Sequence, residues 1–154
     1  MTDPVDLREK ITLDVDGEKY TGDYINTGVP HFVIFFPNIE KIPLREIGKK
    51  IRFHSFFHPQ GTNVDIVSLE EDAISIRTYE RGVEDETLSC GTGAVACALI
   101  SSLKCNLASP IRVKTKGGEL KVLFENKESK FKNVFLEGKV NIVYRGVLNG
   151  REDV

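Results

Sequence analysis

The stretch "ETLSCGTGAVACAL", Glu86 to Leu99, sets Cys90 in front of Gly91 and Gly93 at the start of a small, apolar segment. Read as the start of a helix, it exposes backbone N–H groups that lack internal partners and carry partial positive charge. The glycines remove side-chain bulk there, so a carboxylate or phosphate can rest on the amides. The same field favours a thiolate at Cys90, which makes the residue usable as a base or nucleophile. Glu84, Asp85 and Glu86 lie close in sequence and oppose that thiolate. The plainer alternative is a buried structural cysteine, the usual fate of a lone thiol. Just upstream, Arg81 offers a planar fork for a carboxylate. Glu80 beside it is suited to orient an amine or accept its proton. Taken alone, that pair reads more simply as a surface Glu–Arg contact at a strand end.

Other chemistry-bearing patterns fail on their context. "GTGAVA" matches the G-x-G-x-x-A dinucleotide fingerprint, but "EDETLS" precedes it where a hydrophobic strand is needed. Arg112 and Lys114 stand where that fingerprint needs an acidic residue. "HSFFH" separates His54 and His58 by four positions without the metalloprotease glutamate, and Pro59 follows at once, so a strand or loop end is expected. Asp14 and Asp16 before Gly17 lack the remaining ligands of a calcium loop. Cys90, Cys97 and Cys105 have no C-x-x-C pairing, so no metal site is expected.

The totals bound the rest. The chain has 154 residues, 40% hydrophobic and 29% charged, with a formal net charge of −2, which fits one soluble domain with a real core. Acids and bases interleave without a basic stripe, which argues against nucleic acid or an anionic membrane as partner. "HFVIFF" and "AVACALI" are too short to span a bilayer, and no charged start precedes a hydrophobic run. An odd cysteine count without framework spacing suits a reducing compartment, so a cytoplasmic protein is expected.

Strands must position these residues. "ITLDV" and "KYTGDYI" flank Asp16-Gly17 as a hairpin. "HFVIFF" reads as a buried strand ending at Pro37, and "LREIGKKI" as a helix that Gly48 weakens. "NVDIVSLE" and "AISIRTYE" alternate around a turn at Glu71-Asp72, and "PIRVKT", "ELKVLFE", "NVFLEGKV" and "NIVYRGVL" are further strands, with Gly117-Gly118 as a turn. The segment after Cys90 is apolar almost all round, which predicts a buried central helix that emerges at Ser101, Ser102 and Lys104. The expected fold is α+β: a curled, mainly antiparallel sheet wrapped around a central helix, as a single domain over residues 1–154.

"RTYERGVEDETLSCGTGAVA" closely resembles the second active-site motif of diaminopimelate epimerases, which are cofactor-independent, cytoplasmic amino-acid isomerases of lysine and cell-wall precursor biosynthesis. "INTGVPHFVIF", "GTNVDIV" and "VFLEGKVNIVYRGVL" continue the resemblance in the family's order. It implies two similar domains, each a sheet curled around a helix, with the active site in the cleft between them. Two cysteines, one per domain, face opposite sides of the substrate's α-carbon; one removes the proton and the other returns one. By resemblance Cys90 is the C-terminal domain's cysteine, and the amides of Gly91 and Thr92 hold the α-carboxylate. Glu80 and His31 match positions beside the reacting centre. Asn63 and Arg81 match positions that bind the distal amino-acid end of diaminopimelate. Val29 departs from the family's frequent Asn before Pro-His, and Asn26 or Thr27 are candidates to compensate.

The resemblance aligns this chain with the C-terminal half, so an upstream half carrying the other cysteine is expected as partner. Cys97 lies roughly 10 Å along the same helix and on the same face as Cys90, so the two do not flank one carbon. The chain alone is expected to hold half a site, with a partly apolar face on which a second copy is a candidate partner. A binding domain without turnover and a related racemase or isomerase with another substrate are the alternative functions. Arg81 and Asn63 favour a substrate with a second charged end, and Val29 weakens that preference.

Overall fold

The computed structural model describes residues 1–127 and 130–147. The hairpin forms as expected, with β1 (Val5–Val15) and β2 (Glu18–Asn26) joined by Asp16 and Gly17. Both turn residues have positive φ, +55° and +88°, the combination that matches the twist of the flanking strands. β3 (Pro30–Phe35) follows, then α1 (Leu44–Arg52), β4 (Asn63–Leu69), β5 (Ile74–Glu80) and β6 (Asp85–Thr87). α2 (Gly91–Cys105), β7 (Ile111–Thr115), β8 (Gly118–Lys127) and β9 (Lys130–Gly138) complete the described elements. "HSFFH" lies in the loop between α1 and β4, where it forms a single 3₁₀ turn, Ser55–Phe57. The turn between β7 and β8 is centred one residue earlier than expected, on Lys116 and Gly117.

The strands form one sheet in the order β1-β2-β3-β4-β5-β7-β8-β9, with β6 beside β5. Only β3·β4 and β5·β7 are parallel, so the sheet is mainly antiparallel. It curls around α2, which touches β2, β3, β4, β5, β7, β8 and β9. Its two ends approach each other, and the Met1 amine donates to the Val134 carbonyl of β9 at 2.9 Å. Gly93 to Ser101 are buried, because a helix with no polar stripe is stable only when enclosed. Ser101 does not mark an emergence: it is 0% exposed. The helix leaves the core one turn later, where Lys104 reaches the buried Asp23 at 2.6 Å.

The central strands are covered on both faces, which the sequence did not announce. Val33, Val67, Ile74 and Ile76 pack with α2. Phe32, Ile34, Val64, Ile66 and Tyr79 pack on the other side with Leu44 and Ile51 of α1. Gly48 is the contact point there, since a β-carbon on it would stand 2.6 Å from Tyr79 Cβ. The residue that weakens the helix therefore lets it lie on the sheet.

The expected strand over 141–148 is not a strand in its described part. Residues 139–147 carry no regular structure, and Leu148 lies outside the described residues. Val140, Ile142, Val143, Tyr144 and Val147 are 77% exposed or more. The alternation is present, but a strand needs a ladder partner for its backbone groups.

Candidate active site

Period-two alternation sorts the polar residues of the central strands. His31 on β3, Asn63 and Asp65 on β4, and Thr78 and Glu80 on β5 share the α2 face, in phase with Val33, Val67 and Ile76. His31 pairs with Asn63, and Asp65 with Thr78, in the ladders. β3 and β4 begin where the antiparallel β5 ends, so all five residues gather at one end of the sheet. That is the end at which α2 starts.

Cys90 is the N-cap residue of α2, as expected, with extended backbone (φ −124°, ψ 114°). Its Sγ lies 3.4 Å from Thr92 Oγ1. Thr92 Oγ1 is 3.0 Å from His31 Nε2, and His31 Nδ1 is 2.7 Å from Asp65 Oδ2. The other Asp65 oxygen accepts from the Thr78 hydroxyl at 2.6 Å. His31 and Asp65 are both 0% exposed. The first turn of α2 is fixed from β2's end, where Thr27 Oγ1 donates to the Thr92 carbonyl at 3.1 Å. Neither Asp65 nor Thr78 stood out in the sequence, where each is simply a polar residue in an alternating strand.

Of the opposing effects at Cys90, the helix field does not prevail. Burial, then the charge of Asp65, push the thiol up to about 11, with Glu80 adding to them. The Thr92 hydroxyl and the Gly93 amide pull it down without prevailing. The acidic loop is not the opposing charge. Glu84 pairs with Arg52 at 2.9 Å and Asp85 with Arg45 at 2.8 Å. Glu86 is held by Arg77 at 2.7 Å and Lys116 at 2.6 Å, and these cations bring its carboxyl down to about 2.

Asn63 and Arg81 meet through the backbone. Asn63 Oδ1 accepts from the Arg81 amide at 2.7 Å, and its Nδ2 donates to the Pro30 carbonyl at 3.0 Å. Asn63 is buried and ties the start of β3 to the end of β5. The Arg81 guanidinium donates to the Gln60 carbonyl at 3.1 Å rather than pairing with Glu80. Beside Val29, Asn26 Oδ1 accepts from Gly28 N at 2.9 Å, so both candidate compensating side chains are engaged locally. Cys97 is sealed in the core at 0% exposure, and Cys105 lies at the far end of α2.

A sequence model of the diaminopimelate epimerase family matches residues 23–143. The diaminopimelate epimerase of Aquifex aeolicus (strain VF5) is 50% identical over 97% of this chain and 53% of its own length. That of Hydrogenobaculum sp. (strain Y04AAS1) is 42% identical over 92% of this chain and 51% of its own. The chain thus spans about half the length of these relatives. A solved phenazine biosynthesis protein of the PhzF family from Bacillus anthracis shares the fold at 18% identity, with a TM-score of 0.52 over 86% of this chain and 40% of that one. No helix among the described residues is long and apolar enough to cross a membrane. With its motif residues gathered at the start of one buried helix, and its likeness to these relatives running almost end to end, the chain belongs to the diaminopimelate epimerase family.

Proposed function

We propose that this chain supplies one side of a diaminopimelate epimerase site. The observation that carries the reading is the coincidence of a thiol, Cys90, with the first-turn amides of α2 at the end of the sheet that bears His31 and Glu80. The amides of Gly91 and Thr92 receive the α-carboxylate, whose charge suits a helix N-terminus. Glu80, half-buried at the end of β5, stands by the α-amine. Arg81 faces the distal amino-acid end, with Asn63 fixing its backbone.

In the proposed reaction the α-carbon's C–H bond breaks and its electron pair stays on carbon. The proton goes to the Cys90 thiolate in one direction of turnover; in the other, the Cys90 thiol gives its proton to the carbanion. The opposite face needs a second acid–base group. Cys97 is in the core and Cys105 is about 22 Å along the helix, so that group comes from another body. An upstream half with its own cysteine is the proposed source, and the relatives' length is consistent with it. The apolar side chains of Val140, Ile142, Val143, Tyr144 and Val147, and of Val83 and Leu88 just before Cys90 in the chain, are exposed and suited to cover by another body. A second copy of this chain is the lesser candidate. A cytoplasmic place in lysine and cell-wall precursor synthesis goes with this reading.

The test is solvent exchange. LL-diaminopimelate is incubated in D₂O with this chain, with and without the upstream half of a relative, and the α-proton signal is followed by NMR. Exchange that needs both halves and vanishes in Cys90→Ala is the expected result. Thermal stabilisation by diaminopimelate with no exchange under any combination would instead favour a binding domain.

A further inference from the structure

Thr27 reaches the start of α2 from the loop between β2 and β3. It is 2% exposed, and its hydroxyl donates to the Thr92 carbonyl at 3.1 Å. The loop that carries it is set locally. The Thr27 N–H donates to the Val29 carbonyl at 3.1 Å, the Gly28 N–H donates to Asn26 Oδ1 at 2.9 Å, and Gly28 takes a φ of +111°. The Thr92 carbonyl stands in the first turn of the helix, where the ladder already supplies it with a donor. Thr27 therefore adds a second donor to one particular peptide unit. The other side of that unit is the Gly93 N–H, the amide from which the side chain of an N-cap residue accepts. The protonated Cys90 side chain closes no capping hydrogen bond. The Gly93 amide nevertheless favours its ionised form, and a charged acceptor makes the shorter and stronger bond.

We propose that Thr27 is a positioning residue for Cys90 that acts through the Thr92–Gly93 peptide: its hydroxyl holds and polarises that unit, so that the Gly93 N–H is aimed at the sulfur and strengthened as a donor to it. This rests on the reading of Cys90 as an acid–base group. A donor on the carbonyl oxygen draws electron density from the nitrogen through the partial double bond. Hydrogen bonds in series therefore strengthen one another, most of all where water is excluded. The surroundings of the sulfur show why such a donor matters. Asp65 on β4 and Glu80 on β5 face it with negative charge, and Cys97 lies further along α2 as a neutral thiol. His31 on β3 meets the Thr92 hydroxyl, and the Arg81 guanidinium is turned to the Gln60 carbonyl. The Thr92 hydroxyl and the Gly93 amide are the groups that favour negative charge on Cys90, and Thr27 is bonded to the peptide that carries the second of them.

The test reads the amide and the sulfur separately by NMR. The chain is labelled with ¹⁵N throughout and with ¹³C at the cysteine β-carbons, and Cys90→Ala identifies the Cys90 signal. The Gly93 amide proton is recorded at neutral pH, and the Cys90 β-carbon is followed into strong alkali. Thr27→Val keeps the side-chain shape without the hydroxyl. In that variant the Gly93 proton moves upfield and the Cys90 midpoint rises by about half a unit, which leaves about threefold less thiolate at any pH well below it. Thr27→Ser restores both. Melting curves confirm that each variant is folded; a purely structural threonine lowers the melting temperature and moves neither signal. An unchanged Gly93 proton in Thr27→Val, or a Cys90 midpoint that moves as far in Thr27→Ser as in Thr27→Val, overturns the proposal. The Gly93 signal decides the matter if the chain unfolds before the titration is complete. Both shifts without any diaminopimelate exchange keep the role of Thr27 and reject the proposed function; Cys90-dependent exchange with neither shift does the reverse.

Discussion

Gly93 gives Asp65 its room: a β-carbon on Gly93 would stand 2.5 Å from Asp65 Oδ1 and 3.1 Å from Thr78 Oγ1. The helix can therefore lie against the buried carboxylate only with hydrogen at this position. Gly93→Ala has nowhere to go except into that hydrogen-bonded pair. The expected cost is about 1–3 kcal/mol of stability, read as a lower midpoint in urea or heat.

Glu86 ties three elements together. Arg77 from β5 and Lys116 from the β7–β8 turn both reach it, and Arg77 also donates to the Ile42 carbonyl at 3.0 Å. A carboxyl whose folded pKa is depressed to about 2 contributes stability that is whole above its ordinary range, near about 4.3. That contribution fades as pH falls from there towards 2. Glu86→Gln should cost about 2 kcal/mol at pH 7. The gap between wild-type and variant melting temperatures should close as the pH is lowered to 2; a gap that does not change with pH would remove the ion-pair account.

Much of this was legible in the chain itself, and the failures share a cause. The hairpin at Asp16-Gly17, the helix after Cys90 and the strands through β9 other than the short β6 follow from local pattern, which is what a sequence carries. Cys90, Gly91 and Thr92 were visible because a thiol before two glycines is conspicuous within a few residues. Asp65 was not. Its partners His31 and Thr78 lie 34 and 13 positions away, and only the ladder register brings them to its carboxylate. The balance of charge at Cys90 was not legible for the same reason: Glu84, Asp85 and Glu86 are near in sequence, but their cations come from α1, β5 and the β7–β8 turn. Residues 141–147 have the alternation of a strand and no neighbour to pair with, and pattern alone does not report the neighbour.

Ser101 lies at 0% exposure inside α2, and among the described residues its hydroxyl has no hydrogen-bond partner. A buried unsatisfied hydroxyl is destabilising, and alanine is the better helix former. Ser101→Ala should raise stability by about 1 kcal/mol, or about 3 °C in melting temperature for a domain of this size. A loss of stability on that change would mean that the hydroxyl is satisfied in solution.

The alternation that gathers the site also guards the fold against its nearest error. Slipping β4 by one residue would turn Val64 and Ile66 towards α2 and send Asp65 into the apolar layer of Leu44, Ile51 and Phe32 beneath α1. In that layer a carboxylate would have neither His31 nor Thr78, at a penalty of several kcal/mol. In a strand whose apolar residues Val64, Ile66 and Val67 would fit either side, this single charge makes the two registers unequal. The side chain that anchors His31 is thus also a proofreader of strand alignment, and a variant that neutralises it removes the penalty on the slipped register.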